Sequence, residues 1–201
     1  MQKLQQMFDL LRKQVNQRTS LSRDRFSQST SFFIPKHLRK DQYLIQEGEP
    51  ARFLGFVTAG LLRSYSIDKK GEEHIIQFAP ETWWITDLYS FLAGDNATLF
   101  IDALEDSDVL LIDAESYERL CTTIPEFERY FRILLQNNYV ATHRRILASI
   151  SLSAEERYLQ LLENYPTIAQ RVALRHIASY LGITPEALSR IRRRLSHRAR
   201  R

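Results

Sequence analysis

Residues 171–195 read RVALRHIASYLGITPEALSRIRRRL, and two short amphipathic helices around one glycine are legible in that string. Leu174, Ile177, Ala178 and Leu181 recur at i, i+3, i+4 and i+7, one face of a 3.6-residue helix. Gly182 ends that helix, because a sharp reversal needs the left-handed backbone that glycine adopts at least cost. Thr184 caps the next helix, and Pro185 fits its first position, where no N–H is needed. The second helix buries Leu188, Ile191 and Leu195 and carries Glu186, Ser189, Arg190 and Arg193 on the opposite face. With the small Ala178 letting the helices cross closely, this is the grammar of a helix-turn-helix.

The outward face suits duplex DNA. Arginine reads guanine bidentately, an ionised glutamate accepts from cytosine N4, and hydroxyls serve either role. A buried helical hairpin has the same apolar spacing, but the arginine density and the turn chemistry favour a DNA reader. Charge agrees: from Arg171 onward nine arginines against Glu186 give +8, so in a chain of +4 the preceding body is −4. A mildly acidic body with a basic end presents one surface to a polyanion. The rival partner, an anionic membrane, is disfavoured because arginine alternates with buried apolar positions.

The 201 residues, 44% hydrophobic, support a real core in one or two domains. A single cysteine, Cys121, excludes an internal disulfide and a four-cysteine iron–sulfur site within one chain, and reads as a half-buried apolar residue. No apolar run reaches membrane-spanning length and the N-terminus lacks a signal-peptide core, so the expected compartment is the cytoplasm.

Working back from the C-terminal motif, Ser153 followed by Glu156 is a capping box that starts a helix running to about Asn164. A long helix precedes it, from about Pro125 to Ile150, with an apolar stripe of Phe127, Tyr130, Phe131, Leu134, Ile146 and Ile150 interrupted by Asn138 and Thr142. At a span of about 40 Å it outruns one small roll, and a second copy of itself is the simplest cover. Upstream, Gln42–Gln46, Phe53–Ala59, Leu61–Ile67, Glu73–Ala79, Leu99–Ala103 and Ser107–Asp113 read as short strands, followed by a short helix at Ala114–Cys121. Residues 2–16 form an amphipathic leader helix, and residues 17–31 a loop or a second weak helix. The aromatic residues Trp83, Trp84, Tyr89, Phe91 and Phe100 read as core. The fold class is therefore α+β: the leader helix and an antiparallel β-sandwich or jelly roll over 1–123, a dimerisation helix over 124–150, and a helix-turn-helix domain over 151–201, hinged at Ser151–Ser153.

The roll, long helix, serine hinge and reader motif together resemble the Crp/Fnr superfamily of bacterial transcription regulators, from about Phe32 to Leu195. The segment Ile177-Ala-Ser-Tyr-Leu-Gly-Ile-Thr-Pro-Glu-Ala-Leu-Ser-Arg-Ile-Arg carries the resemblance most specifically, with Glu47-Gly48-Glu49 and Ala59-Gly60 matching early turns of the roll. It implies a homodimer on double-stranded DNA, with Glu186 and Arg190 reading bases and Ser189 and Arg193 beside them. Thr184 and Arg175 sit where family members hold phosphates, and Arg192 and Arg194 are expected mostly at phosphates as well. Pro185 stands where the family's first base reader is usually Arg or polar, so no particular operator carries over. RNA polymerase is an example of the protein partner that a rival reading, a sensor acting through protein contacts, would use.

The sensory end departs from the family's cyclic-nucleotide members. Asp87 replaces the expected glutamate and Ala97 stands where the phosphate-binding arginine belongs, while no Lys or Arg occurs between Lys70 and Arg119. Cyclic AMP is therefore not the expected effector. Any effector pocket, for an unknown small molecule, would draw on Trp84, Thr86, Asp87, Thr98 and Thr142. His37 and His74 are isolated in sequence, and residues 72–102 hold one histidine, against a cupin-like metalloenzyme. No metal, cofactor or catalytic constellation is expected. The family's β-hairpin wing is expected to be absent or reduced to the basic tail Ser196–Arg201, which contacts phosphates or is disordered. The rival to a DNA regulator is a small-molecule or cyclic-nucleotide sensor acting through protein contacts, which would lack a steep salt dependence of duplex binding.

Overall fold

A computed structural model describes residues 2–198. They fall into two compact units, one of Met1–Ser66 and Ile76–Asn137, the other of Ile67–Ile75 and Asn138–Arg201.

The roll makes up the first unit apart from the hairpin tip Ile67–Ile75, which belongs to the second. Strands β1 (Ile34–Leu38), β2 (Tyr43–Ile45), β3 (Phe53–Ala59), β4 (Leu62–Ile67), β5 (Glu73–Ala79), β6 (Trp84–Ile85), β7 (Phe100–Ala103) and β8 (Ser107–Asp113) make two four-stranded sheets, ordered β1-β8-β3-β6 and β2-β7-β4-β5. The register is antiparallel, with Leu54 opposite Ile112, Phe56 opposite Leu110 and Ser64 opposite Ile101. Strands β3 and β8 carry unbroken non-polar runs, residues 53–57 and 109–112, because both faces are covered. One faces the roll interior; the other meets helices α1 (Gln2–Asn16) and α4 (Ala114–Thr123), which pack on β3 and β8 respectively. Helix α1 docks through Met7, Leu11 and Val15, all buried at i, i+4 and i+8. The expected weak helix is α2 (Arg23–Ser29), capped by Ser22.

Three elements of the roll, and the short helix Ile168–Arg171 further on, are not expected from the sequence. Strand β1 holds Pro35 and Lys36 and buries only Leu38, so it shows no alternation; it survives because it is an edge strand, where a proline costs no ladder bond. Strand β6 is two residues long, too short for a period. Helix α3 (Leu88–Ala93) is capped by Asp87 and ended by the left-handed Gly94. Its aromatic residues divide: Phe91 is buried, whereas Tyr89 is 71% exposed and Trp83, just ahead, is also exposed. The expectation of a uniformly buried aromatic set is corrected, since a six-residue helix on a roll can bury only one side.

Helix α5 (Pro125–Ser151) starts on the roll, where Phe127, Tyr130 and Phe131 are buried around Trp84. The Trp84 ring lies 5.0 Å from Phe56 and 5.1 Å from Phe131, and its Nε1–H donates to the Tyr130 hydroxyl at 2.9 Å. Beyond Asn137 the helix belongs to the second unit, so the division between the two units falls inside α5.

The second unit contains the rest of α5, then α6 (Ala154–Asn164), α7 (Ile168–Arg171), α8 (Leu174–Leu181) and α9 (Pro185–Arg198). Its core is Tyr158, Leu161, Ile168, Val172, Ile177, Ala178, Leu181, Leu188 and Ile191. Helix α9 continues through Ser196–Arg198, so the first half of the expected tail is helical; residues 199–201 lie outside the described residues. Among the described residues no helix is long and apolar enough to cross a membrane.

Candidate nucleic-acid interface

Local chemistry fixes the α8–α9 corner. Gly182 sits at φ 65°; its N–H donates to the Ser179 carbonyl and that of Ile183 to the Ala178 carbonyl, both at 3.0 Å, closing the end of α8. The Thr184 hydroxyl then accepts the Ala187 N–H at 3.2 Å and opens α9. Leu188 and Ile191 anchor α9 inward, which leaves Glu186, Ser189, Arg190, Arg192, Arg193 and Arg194 exposed.

Glu186 is acceptor-only at neutral pH. Its own amide and the Thr184 hydroxyl, helped by the charge of Arg190, hold its carboxyl below the usual range. Arg190 lies one turn further along the same face and is exposed, with Ser189 and Arg193 flanking it. Arg175 is exposed on α8, beside the largely buried His176, whose ring Nε2 lies 3.4 Å from its Nε. Arg194 departs from the other predicted phosphate ligands, because its Nη2 is 3.0 Å from Glu155 on α6.

Several positioning residues carried no sequence signal. Arg157 donates to the carbonyls of Leu152 at 2.9 Å and Leu181 at 3.1 Å, tying the hinge to the end of α8. The hairpin tip Ile67–Ile75 shares this unit. The Ser179 hydroxyl donates to the Glu73 carbonyl at 2.6 Å and accepts the Ile75 N–H at 3.0 Å, satisfying an edge of strand β5. Arg145 of α5 donates to the Ile75 carbonyl at 3.3 Å and lies 4.2 Å over the Tyr180 ring. His74, isolated in sequence, is brought within 3.0 Å of Asp68 with Glu72 nearby. Asp68 also accepts the amides of Lys70 and Glu72, so the group is the hydrogen-bonded turn of the hairpin.

The roll residues expected to line an effector pocket are engaged with one another or with backbone. Trp84 is in the aromatic core, and the Thr86 hydroxyl donates to the Phe53 carbonyl at 2.9 Å. Asp87 is buried and accepts the amide and hydroxyl of Thr98 at 2.7 and 2.9 Å. Ala97 is buried, bonded through its backbone to Gly48 and Glu49. Thr142 is exposed on the part of α5 that belongs to the second unit. A cation that the sequence reading passed over, Arg63 on β4, is buried in the roll and held by Asp102 at 2.8 and 2.9 Å. Cys121 is half-buried, and burial beside Glu118 pushes its thiol up to about 11, so it stays protonated at neutral pH.

The family model described as cyclic nucleotide-binding domain matches residues 35–123. The fumarate and nitrate reduction regulatory protein of Vibrio cholerae is 30% identical over 169 residues, covering 78% of this chain and 66% of the relative. The chain belongs to the Crp/Fnr family of transcription regulators. Regulatory protein HlyX of Actinobacillus pleuropneumoniae is 27% identical over 176 residues, 78% of this chain and 69% of that protein. The Crp/Fnr chain thus spans about two thirds of the length of the curated relatives it matches, which are named as regulators and not as enzymes. In fold it is similar to FixK2 from Bradyrhizobium japonicum, with a TM-score of 0.72, 22% identity and coverage of 83% of this chain and 86% of that one.

Proposed function

We propose that this Crp/Fnr chain is a cytoplasmic homodimer that binds a two-fold related site on duplex DNA and regulates transcription from it. The observation that carries the reading is the α9 surface: Leu188 and Ile191 buried, and Glu186, Ser189, Arg190 and Arg193 exposed together on the other side. In a major groove Arg190 pairs with guanine O6 and N7, and the ionised Glu186 accepts from cytosine N4. Ser189 and Arg193 complete the reading face. Arg175, Thr184 and Arg192 hold phosphates, and Arg194 joins them only if it leaves Glu155.

Dimerisation runs through α5 over 124–150, whose later turns expose Tyr139, Val140, Ile146, Leu147 and Ile150. An apolar stripe on a 27-residue helix is covered most economically by its own copy. The two reader helices are then one DNA turn apart, about 34–36 Å. RNA polymerase is the partner through which bound protein acts. The effector is a small molecule other than cyclic AMP, because Asp87 is committed to Thr98 and Ala97 offers no cation for a cyclic phosphate. Trp84, Thr86, Asp87 and Thr98 are the residues of the roll to probe for it.

Selection of bound sequences from random duplexes tests the whole reading. A two-fold related motif containing a G·C pair in each half-site supports it; recovery of unenriched sequence overturns it. Titration calorimetry with cyclic AMP tests the effector claim, which micromolar affinity would overturn.

A further inference from the structure

Two acids open α6, and they are used differently. Glu156 is committed to the capping box: its carboxylate accepts the Ser153 N–H at 2.8 Å and the Ser153 hydroxyl at 2.7 Å. Glu155 reaches across to α9, where one oxygen is 3.0 Å from Arg194 Nη2 and the other 2.8 Å from Arg198 Nη1. It borders an open groove of about 470 Å³ lined by Ser153, Ala154, Glu155, Glu156, Leu159, Ile191 and Arg194. The anion is the fixed partner: Glu155 is 19% exposed, Arg194 61% and Arg198 72%. Two exposed cations are held by one largely covered carboxylate.

At 100° per residue, Arg194 and Arg198 share a flank of α9 adjoining the face of Glu186, Ser189, Arg190 and Arg193. A helix lying in a groove meets bases with its front and phosphates with its flanks. Arg192 lies on the opposite flank and, among the described residues, forms no ion pair. One flank therefore presents its charge freely, and the other has its charge answered from within the protein.

We propose that Glu155 is a positioning residue that competes with DNA phosphates for Arg194 and Arg198 and so limits the sequence-independent part of DNA affinity, an inference that rests on the DNA-binding reading above. The carboxylate occupies the guanidinium groups in the geometry a phosphate would use. An arginine held there releases no counterion when DNA binds, so it adds nothing to the salt dependence. Base reading through Glu186 and Arg190 is left as it is.

The test is the slope of log affinity against log salt for random and selected duplexes, measured by fluorescence anisotropy on the full chain. Glu155→Gln keeps shape and removes the charge, while the Ser153–Glu156 cap remains. Freed arginines, two per protomer, steepen the slope by about 2 to 4 per dimer and tighten random-duplex binding at low salt on the order of tenfold. Adding Arg194→Gln and Arg198→Gln to that variant returns the slope to its starting value. An unchanged slope in Glu155→Gln, or extra slope that persists in the triple variant, overturns the role of Glu155. Should Glu155→Gln melt early, the double variant Arg194→Gln, Arg198→Gln with Glu155 intact decides instead: an unaltered slope is expected, and one flattened by about 2 or more overturns the proposal. Wild-type protein that binds no duplex at any salt overturns the DNA reading itself, a result distinct from either.

Discussion

Gly60 and Arg190 are single residues whose consequences can be read separately. Gly60 turns β3 into β4 at φ +89°, and a Cβ there would collide with the Ser107 side chain and lie 2.6 Å from the Asp106 carbonyl. Ser107 cannot yield cheaply, because its hydroxyl accepts the Leu61 N–H at 3.1 Å and donates to the Glu105 carbonyl at 2.7 Å. Gly60→Ala is expected to cost about 2–4 kcal/mol in chemical denaturation, combining left-handed strain with a clash. Gly182→Ala, with nothing within 4 Å of the added Cβ, is expected to cost about 1 kcal/mol. Equal losses would mean that the roll relaxes around residue 60. Arg190→Ala is expected to cost about 1–3 kcal/mol on the selected duplex and much less on random DNA. Equal losses on both would make Arg190 a phosphate clamp.

At the scale of the element, α6 depends on its first turn. The Ser153 hydroxyl and amide hold the Glu156 carboxyl below the usual carboxylate range. A depressed folded value means the contribution is complete above the unfolded pKa of about 4.3 and is lost as pH falls through the folded one. Wild type is therefore expected to melt above Glu156→Gln at pH 7, the gap closing toward pH 3; a gap that stays constant removes the charged form from the explanation. Ser153→Ala, which loses the reciprocal half of the box, is expected to cost about 1 kcal/mol. This cap was legible in sequence because both partners lie within one turn. Strand β1 was not legible, since an exposed edge with Pro35 and Lys36 has no alternation to read. Helix α3 was hidden for a related reason: two of its exposed side chains, Tyr89 and Leu92, are apolar.

For the whole molecule the central expectation is assembly through α5. Tyr139→Glu with Ile150→Glu places charge on residues 72% and 79% exposed, so the fold of each unit should be untouched. Sedimentation should show a monomer, thermal stability should lose its dependence on concentration, and affinity for the two-fold site should fall about 10²–10⁴-fold while half-site binding persists. A variant that remains dimeric would move the interface off this helix. The sequence by itself determined the α8–Gly182–α9 corner, the α6 cap, the long helix and most strands, because periodicity and capping act over a few neighbouring residues. It also marked Ala97 as a missing cation. Only the tertiary structure decided which charges are free. Glu155 meets Arg198 from 43 residues away, Arg63 meets Asp102 across 39, and Ser179 reaches Glu73 across 106. Such pairings depend on where the folded backbone carries each group, and a long flexible side chain leaves no local pattern that names its partner.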